Sequence, residues 1–137
     1  MGLKRGIFSA WATLLLLFFA GELDECGAAD YRARKTADGF VFEIAINRNP
    51  PVLGKNDIRV EIRNPEGKPV TGAEVTVNYY MPPMPRMPPM NYTVTATPDG
   101  AAYRAVMDLI MSGPWNIIVR ANPGGKFVRI SFPIDVR

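Results

Sequence analysis

DIRVEIRN, Asp57 to Asn64, alternates from end to end: Ile58, Val60 and Ile62 fall on one side, Arg59, Glu61 and Arg63 on the other. A period of two marks a β-strand with one buried and one wet face, because successive side chains leave a pleated backbone in opposite directions. FVFEIAIN, just upstream, repeats the pattern, with Phe40, Phe42, Ile44 and Ile46 against Glu43 and Asn47. Downstream, NPEGKPVTGA supplies two turn clusters, and AEVTVNYYM sets Ala73, Val75, Val77 and Tyr79 against Glu74, Thr76 and Asn78. NYTVTAT, AAYRAVMDL, WNIIVRA and KFVRISFPIDVR follow, separated by PDG, SGP and NPGG. Gly, Pro, Asn and Asp clusters of this kind are turn chemistry. Pro133 removes one ladder donor from the last strand, which suits an edge or a bulge. No helical period appears. About seven short strands with turns between them predict an all-β chain folded as an antiparallel β-sandwich over residues 40–137. The preceding stretch, residues 30–39, is polar and expected to be a loose lead-in.

The 137 residues suit one domain, and the composition is that of a globular chain, 47% hydrophobic and 21% charged. Residues 1–29 read as an export signal. Lys4 and Arg5 make a short basic start, GIFSAWATLLLLFFA (Gly6 to Ala20) is apolar, and the small residues of CGAAD place a cleavage site after Ala28 or Ala29. The competing reading is a short membrane anchor, although the run is shorter than the roughly 20 residues of a spanning helix. Either way the domain is expected outside the cytoplasm, in the periplasm or cell envelope, and it meets a membrane only if the segment is retained. Cys26 is the only cysteine, so no intrachain disulfide forms. Asp24 and Glu25 stand where a lipoprotein signal needs small residues, and removal of the signal leaves a chain without a thiol, compatible with an oxidising compartment.

Taking Lys4, Arg5, Glu22, Asp24 and Glu25 from the 16 cationic and 13 anionic residues leaves 14 against 10. These charges are scattered singly along the strands, a solvated pattern that does not favour nucleic acid. Catalytic chemistry is sparse. The chain has no histidine, the commonest general base and metal ligand. Ser112 and Ser131 sit in no nucleophile elbow, and Gly124 and Gly125 read as turn glycines. An enzyme is not expected.

One segment stands apart. MPPMPRMPPM, Met81 to Met90, holds four of the seven methionines and five of the thirteen prolines. Proline fixes φ and restricts the residue before it, so polyproline II is the natural local conformation. Its period of about three residues puts Met81, Met84, Met87 and Met90 on one face. On a straight segment the thioethers would be anchored about 9 Å apart, so one shared ion requires a bend, for which Arg86 is the natural place, or ligands from elsewhere. A homodimer pairing two such loops would also supply them. Thioethers are soft, neutral ligands that select Cu(I). Three readings stand together: a copper loop, a gap-filling apolar connection, and a stiff ridge for a partner protein.

GKPVTGAEVTVNYYMPPMPRMPPM followed by TPDGAAYRAVMDLIMSGPWNIIVRA resembles the YtkA-like domains, a group related to the FixH proteins. The elements that carry the likeness are Gly67, Pro69, Val70, Gly72, Ala73 and Val75; the Met/Pro run; Pro98, Gly100 and Tyr103; and Met111, Gly113 and Trp115. The resemblance implies an extracytoplasmic, immunoglobulin-like sandwich without an established activity, associated with copper handling and assembly of haem-copper oxidases. It favours Met81, Met84, Met87 and Met90 as Cu(I) ligands with Met111 as an addition, and a copper acceptor or other envelope protein as partner. Many relatives carry a histidine near the start of the domain; its absence here argues against a mixed His/Met site.

Overall fold

The computed structural model describes residues 30–137; the segment expected to be a signal or anchor, with Cys26, lies outside the described residues. Nine strands follow in order: β1 (Tyr31–Ala37), β2 (Phe40–Ile46), β3 (Gly54–Arg63), β4 (Glu74–Met81), β5 (Met90–Thr95), β6 (Thr97–Asp99), β7 (Ala102–Leu109), β8 (Gly113–Asn122) and β9 (Val128–Val136). They form two antiparallel sheets, ordered β1-β2-β3-β7-β6 and β5-β4-β8-β9. Among the described residues no helix is long and apolar enough to cross a membrane.

The β-sandwich expected from alternation is the fold, but with nine strands in place of about seven. β6 is only three residues long, too short to carry a period. β1 falls in the lead-in expected to be loose. Its core-facing positions include Tyr31, Ala33 and Ala37, two of them small, so its alternation carries little hydrophobic signal. What makes it a strand is the turn after it. Asp38 and Gly39 have φ of 49° and 81°, the left-handed pair that Asp-Gly supplies to a two-residue hairpin. Ala37 is thereby set opposite Phe40, and β1 pairs with β2 over its full length.

The core lies between the sheets. Ile58, Val60 and Ile62 of the quoted strand are fully buried, as are Phe42, Ile44 and Ile46 beside them and Val77, Trp115, Ile117 and Val119 across from them. Side chains of this size contribute about 1.5–3 kcal/mol each on burial. The chain passes from one sheet to the other at buried Ala96, whose N–H donates to the Val75 carbonyl at 2.8 Å. Tyr103 ties the β3–β4 connection to the sandwich: its hydroxyl donates to the Val70 carbonyl at 2.9 Å and accepts from Ala73 N–H at 3.0 Å. At one seam Tyr31 stacks on Phe132 with centroids 5.9 Å apart, and its hydroxyl donates to the Pro133 carbonyl at 3.3 Å. Pro133 sits on β9, an edge strand, where the missing donor is tolerated.

The pairings Tyr31↔Ile46, Gly54↔Leu109, Met81↔Met90 and Gly113↔Val136 gather one set of features at one end of the sandwich. These are the start of β1, the β2–β3, β4–β5 and β7–β8 connections, and the C-terminus, where Arg137 N–H donates to the Pro51 carbonyl at 3.0 Å. Asn56, the only polar residue among the buried ones described, stiffens this end. It accepts from Val52 N–H at 3.1 Å and donates to the carbonyls of Val52 and Gly54 at 2.7 and 3.0 Å.

Candidate metal centre

The Met/Pro run is the connection of a β-hairpin. β4 ends at Met81, β5 begins at Met90, and these two residues are register partners. A straight polyproline segment is therefore corrected: the chain reverses in the middle. Met87 N–H donates to the Met84 carbonyl at 3.2 Å, closing a turn with Pro85 and Arg86 at its centre. Proline pre-sets φ for the first central position, and the second requires positive φ. Arg86 supplies it, at φ 67°. The bend falls where the sequence reading needed one.

Folding back brings the four methionines to one place. Met84 and Met87 flank the turn, Met81 and Met90 close the hairpin behind them, and all four line one small cleft together with Pro82 and Pro88. Its volume, about 10 Å³, is roughly that of one water-sized sphere. The four side chains differ in setting. Met81 is 4% exposed and belongs to the core, Met87 and Met90 are half-buried, and Met84 is 39% exposed.

Met111 is not among the cleft's lining residues. It lies in the β7–β8 connection, half-buried against the core, and its carbonyl accepts the Trp115 indole N–H at 2.8 Å. That bond fixes the connection and brings Gly113 against Met81: a Cβ on Gly113 would stand 3.4 Å from the Met81 methyl. Gly113 also has φ of 117°, a conformation that glycine alone adopts without strain. Trp115 is fully buried, Tyr79 is buried and Tyr80 half-buried.

Beneath the cleft lies a layer that sequence reading missed in part. Tyr79 is the register partner of Tyr92, their rings stack at 5.5 Å, and Trp115 completes the group at 6.0 Å from Tyr79 and 6.5 Å from Tyr92. The missed member is Tyr92, and the signal for it was the hairpin register. Among the described residues no group of three His, Cys, Asp or Glu stands close enough to hold a metal ion. The donors that the cleft offers are thioethers, and the only charge inside the run is Arg86. Neutral, polarizable sulfur suits a soft monovalent ion and offers little to a hard divalent one.

A family model described as YtkA-like matches residues 34–120. The match runs from the middle of β1 into β8 and includes the whole methionine hairpin. No curated protein and no solved structure shows significant similarity to the chain.

Proposed function

The chain belongs to the YtkA-like family, and from that membership and the folded hairpin we propose that it is a non-enzymatic Cu(I)-binding domain of the cell envelope. The ion is cargo: it is taken up in the thioether cleft of Met81, Met84, Met87 and Met90 and released to an acceptor protein during copper handling or oxidase assembly. The observation that carries the reading is the turn at Pro85–Arg86, which converts four evenly spaced methionines into one lining. The chemistry supports it as well. Thioethers prefer Cu(I) and, unlike thiols, form no disulfides in an oxidising compartment. The apolar N-terminal run accords with export. Met111, outside the cleft lining, is left out of the ligand set.

Titration of the protein with Cu(I) against a competing chelator tests this, beside a variant carrying Met84→Leu and Met87→Leu. These two positions are exposed or half-buried, so their replacement spares the core. Saturable binding that the variant weakens supports a copper site. Equal binding by both proteins, or none by either, overturns it.

One observation favours a second reading. Met84 is exposed in the midst of exposed Pro83, Pro85 and Pro89, and pre-ordered proline segments bind partner surfaces with little loss of chain entropy. In that case the ridge is an interaction module without metal, and the chelator competition returns no binding.

A further inference from the structure

The end of the sandwich that carries the cleft also carries three of the exposed apolar side chains. Among the described residues six large apolar side chains stand exposed: Leu53, Met84, Tyr92, Val106, Ile110 and Phe127. Leu53, Met84 and Ile110 protrude from the β2–β3, β4–β5 and β7–β8 connections, which the strand register collects at that one end. Leu53 and Ile110, 53% and 55% exposed, directly flank the Gly54↔Leu109 pair and so stand side by side. Phe127 alone sits at the opposite end, next to the Val128↔Ala121 pair.

Leu53 is held in place on both sides. The bonds from Asn56 fix Val52 and Gly54, so the leucine between them is presented outward by a rigid loop. Arg48 and Arg86 belong to the same group of connections, and neither makes an ion pair among the described residues. Lys55 stands opposite Asp108 across the β3–β7 pair, and Arg137 pairs with Asp135 at 3.7 Å. Protruding aliphatic side chains rimmed by arginines match the interface of a bilayer: the side chains enter the acyl boundary while the guanidinium groups stay level with the phosphates.

The chain's own apolar run points to the same occupant. Gly6 to Ala20 connects to β1 through residues 21–29 and Asp30, and β1 starts at this end, with Tyr31 opposite Ile46. Ten residues reach roughly 35 Å at full extension, so a membrane holding that run lies within reach of the three side chains. We propose that this end of the sandwich is a lipid-contacting surface. Leu53, Ile110 and Met84 enter the interface of an anionic membrane with Arg48 and Arg86 at its phosphates, and the methionine cleft opens at the membrane surface. The proposal does not depend on copper.

The test uses the full chain without metal, on vesicles of mixed phosphatidylcholine and phosphatidylglycerol. In a Cys26→Ser background, Leu53→Cys, Ile110→Cys and Phe127→Cys variants each carry a polarity-sensitive fluorophore, and a quencher is borne on the lipid chains. Labels at 53 and 110 are expected to shift to the blue and to be quenched several times more than the label at 127. Adding Leu53→Asp to the Ile110→Cys protein should abolish that difference. Equal quenching at all three positions, or none at 53 and 110, overturns the proposal.

Discussion

Arg86 allows the geometry of the cleft to be broken while every thioether is kept. It occupies the left-handed region, at φ 67°, where an L-residue is less stable by about 1–2 kcal/mol than in its usual conformations. Arg86→Val places a β-branched side chain at a position it adopts less readily than arginine does. If the added strain is about 1–2 kcal/mol, the closed turn becomes about 5- to 30-fold less populated. Apparent Cu(I) affinity falls in proportion to the fraction of molecules in the closed turn, at most by that same factor. Arg86→Gly removes the same charge and relieves the strain, while the unfolded chain gains back about 0.5–1 kcal/mol of freedom. Its affinity should equal or modestly exceed that of the parent. The assay is chelator competition on the three proteins at one ionic strength, with thermal melts to confirm that each is folded. Because both variants lose the guanidinium, their divergence isolates conformation from charge. Equal affinities for the valine and glycine variants would refute the claim that the turn assembles the site.

Asn56→Ala leaves the Val52 and Gly54 backbone groups without their partners and should destabilise the protein by about 2–4 kcal/mol in denaturant titration; a loss below about 1 kcal/mol would mean that water replaces the amide. Trp115→Phe removes the bond to the Met111 carbonyl and indole volume from the core, an expected loss of about 2–3 kcal/mol, with Cu(I) affinity lowered only if the β7–β8 connection helps to seat Met81. Burial raises the Tyr31 phenol above its ordinary pKa of 10.0. The folded state therefore favours the neutral phenol, and the contribution of the Tyr31 seam is complete below the ordinary pKa and is lost as pH rises through the elevated one. Ultraviolet titration should find its ionisation later than that of a free tyrosine, and Tyr31→Phe should abolish that component.

Strands were legible wherever one face is strongly apolar, as in Asp57–Asn64, because burial of alternate residues is itself what selects the strand. β1 was hidden because alanines fill part of its inward face, and its only strong signal was Asp38-Gly39 beside Phe40. The hairpin was written more openly than the period-three reading suggested. About its centre between Pro85 and Arg86 the run is nearly a palindrome: methionine faces methionine at 84/87 and 81/90, and proline faces proline at 82/89 and 83/88. The symmetry continues into the strands, where Tyr79 meets Tyr92, Val77 meets Val94 and Thr76 meets Thr95. Polyproline periodicity and hairpin symmetry fit the same ten letters. Long-range pairing decides between them, since β4 also pairs with β8 and carries its partner strand into the sheet. Periodicity along one segment contains no information about that second neighbour.

The unequal burial of the four methionines separates a ligand role from a packing role. Met81 is 4% exposed and touches the core, whereas Met84 is 39% exposed. Met81→Ala should destabilise by about 2–4 kcal/mol through the cavity it leaves. Met84→Ala should stay within about 0.5 kcal/mol, as ordinary surface substitutions do. If the methionines only fill space, any effect of these changes on Cu(I) follows stability, and Met84→Ala is silent in both assays. If they are ligands, Met84→Ala weakens Cu(I) binding in a protein as stable as its parent. Met81→Leu makes the complementary measurement, because the swap nearly conserves volume, usually loses less than about 1.5 kcal/mol, and still removes a thioether. Two substitutions at opposite extremes of burial, both lowering affinity while stability holds, leave sulfur as the property they share. Should Met84→Ala bind Cu(I) as the parent does, the exposed half of the cleft carries no metal and the hairpin is a surface for a partner.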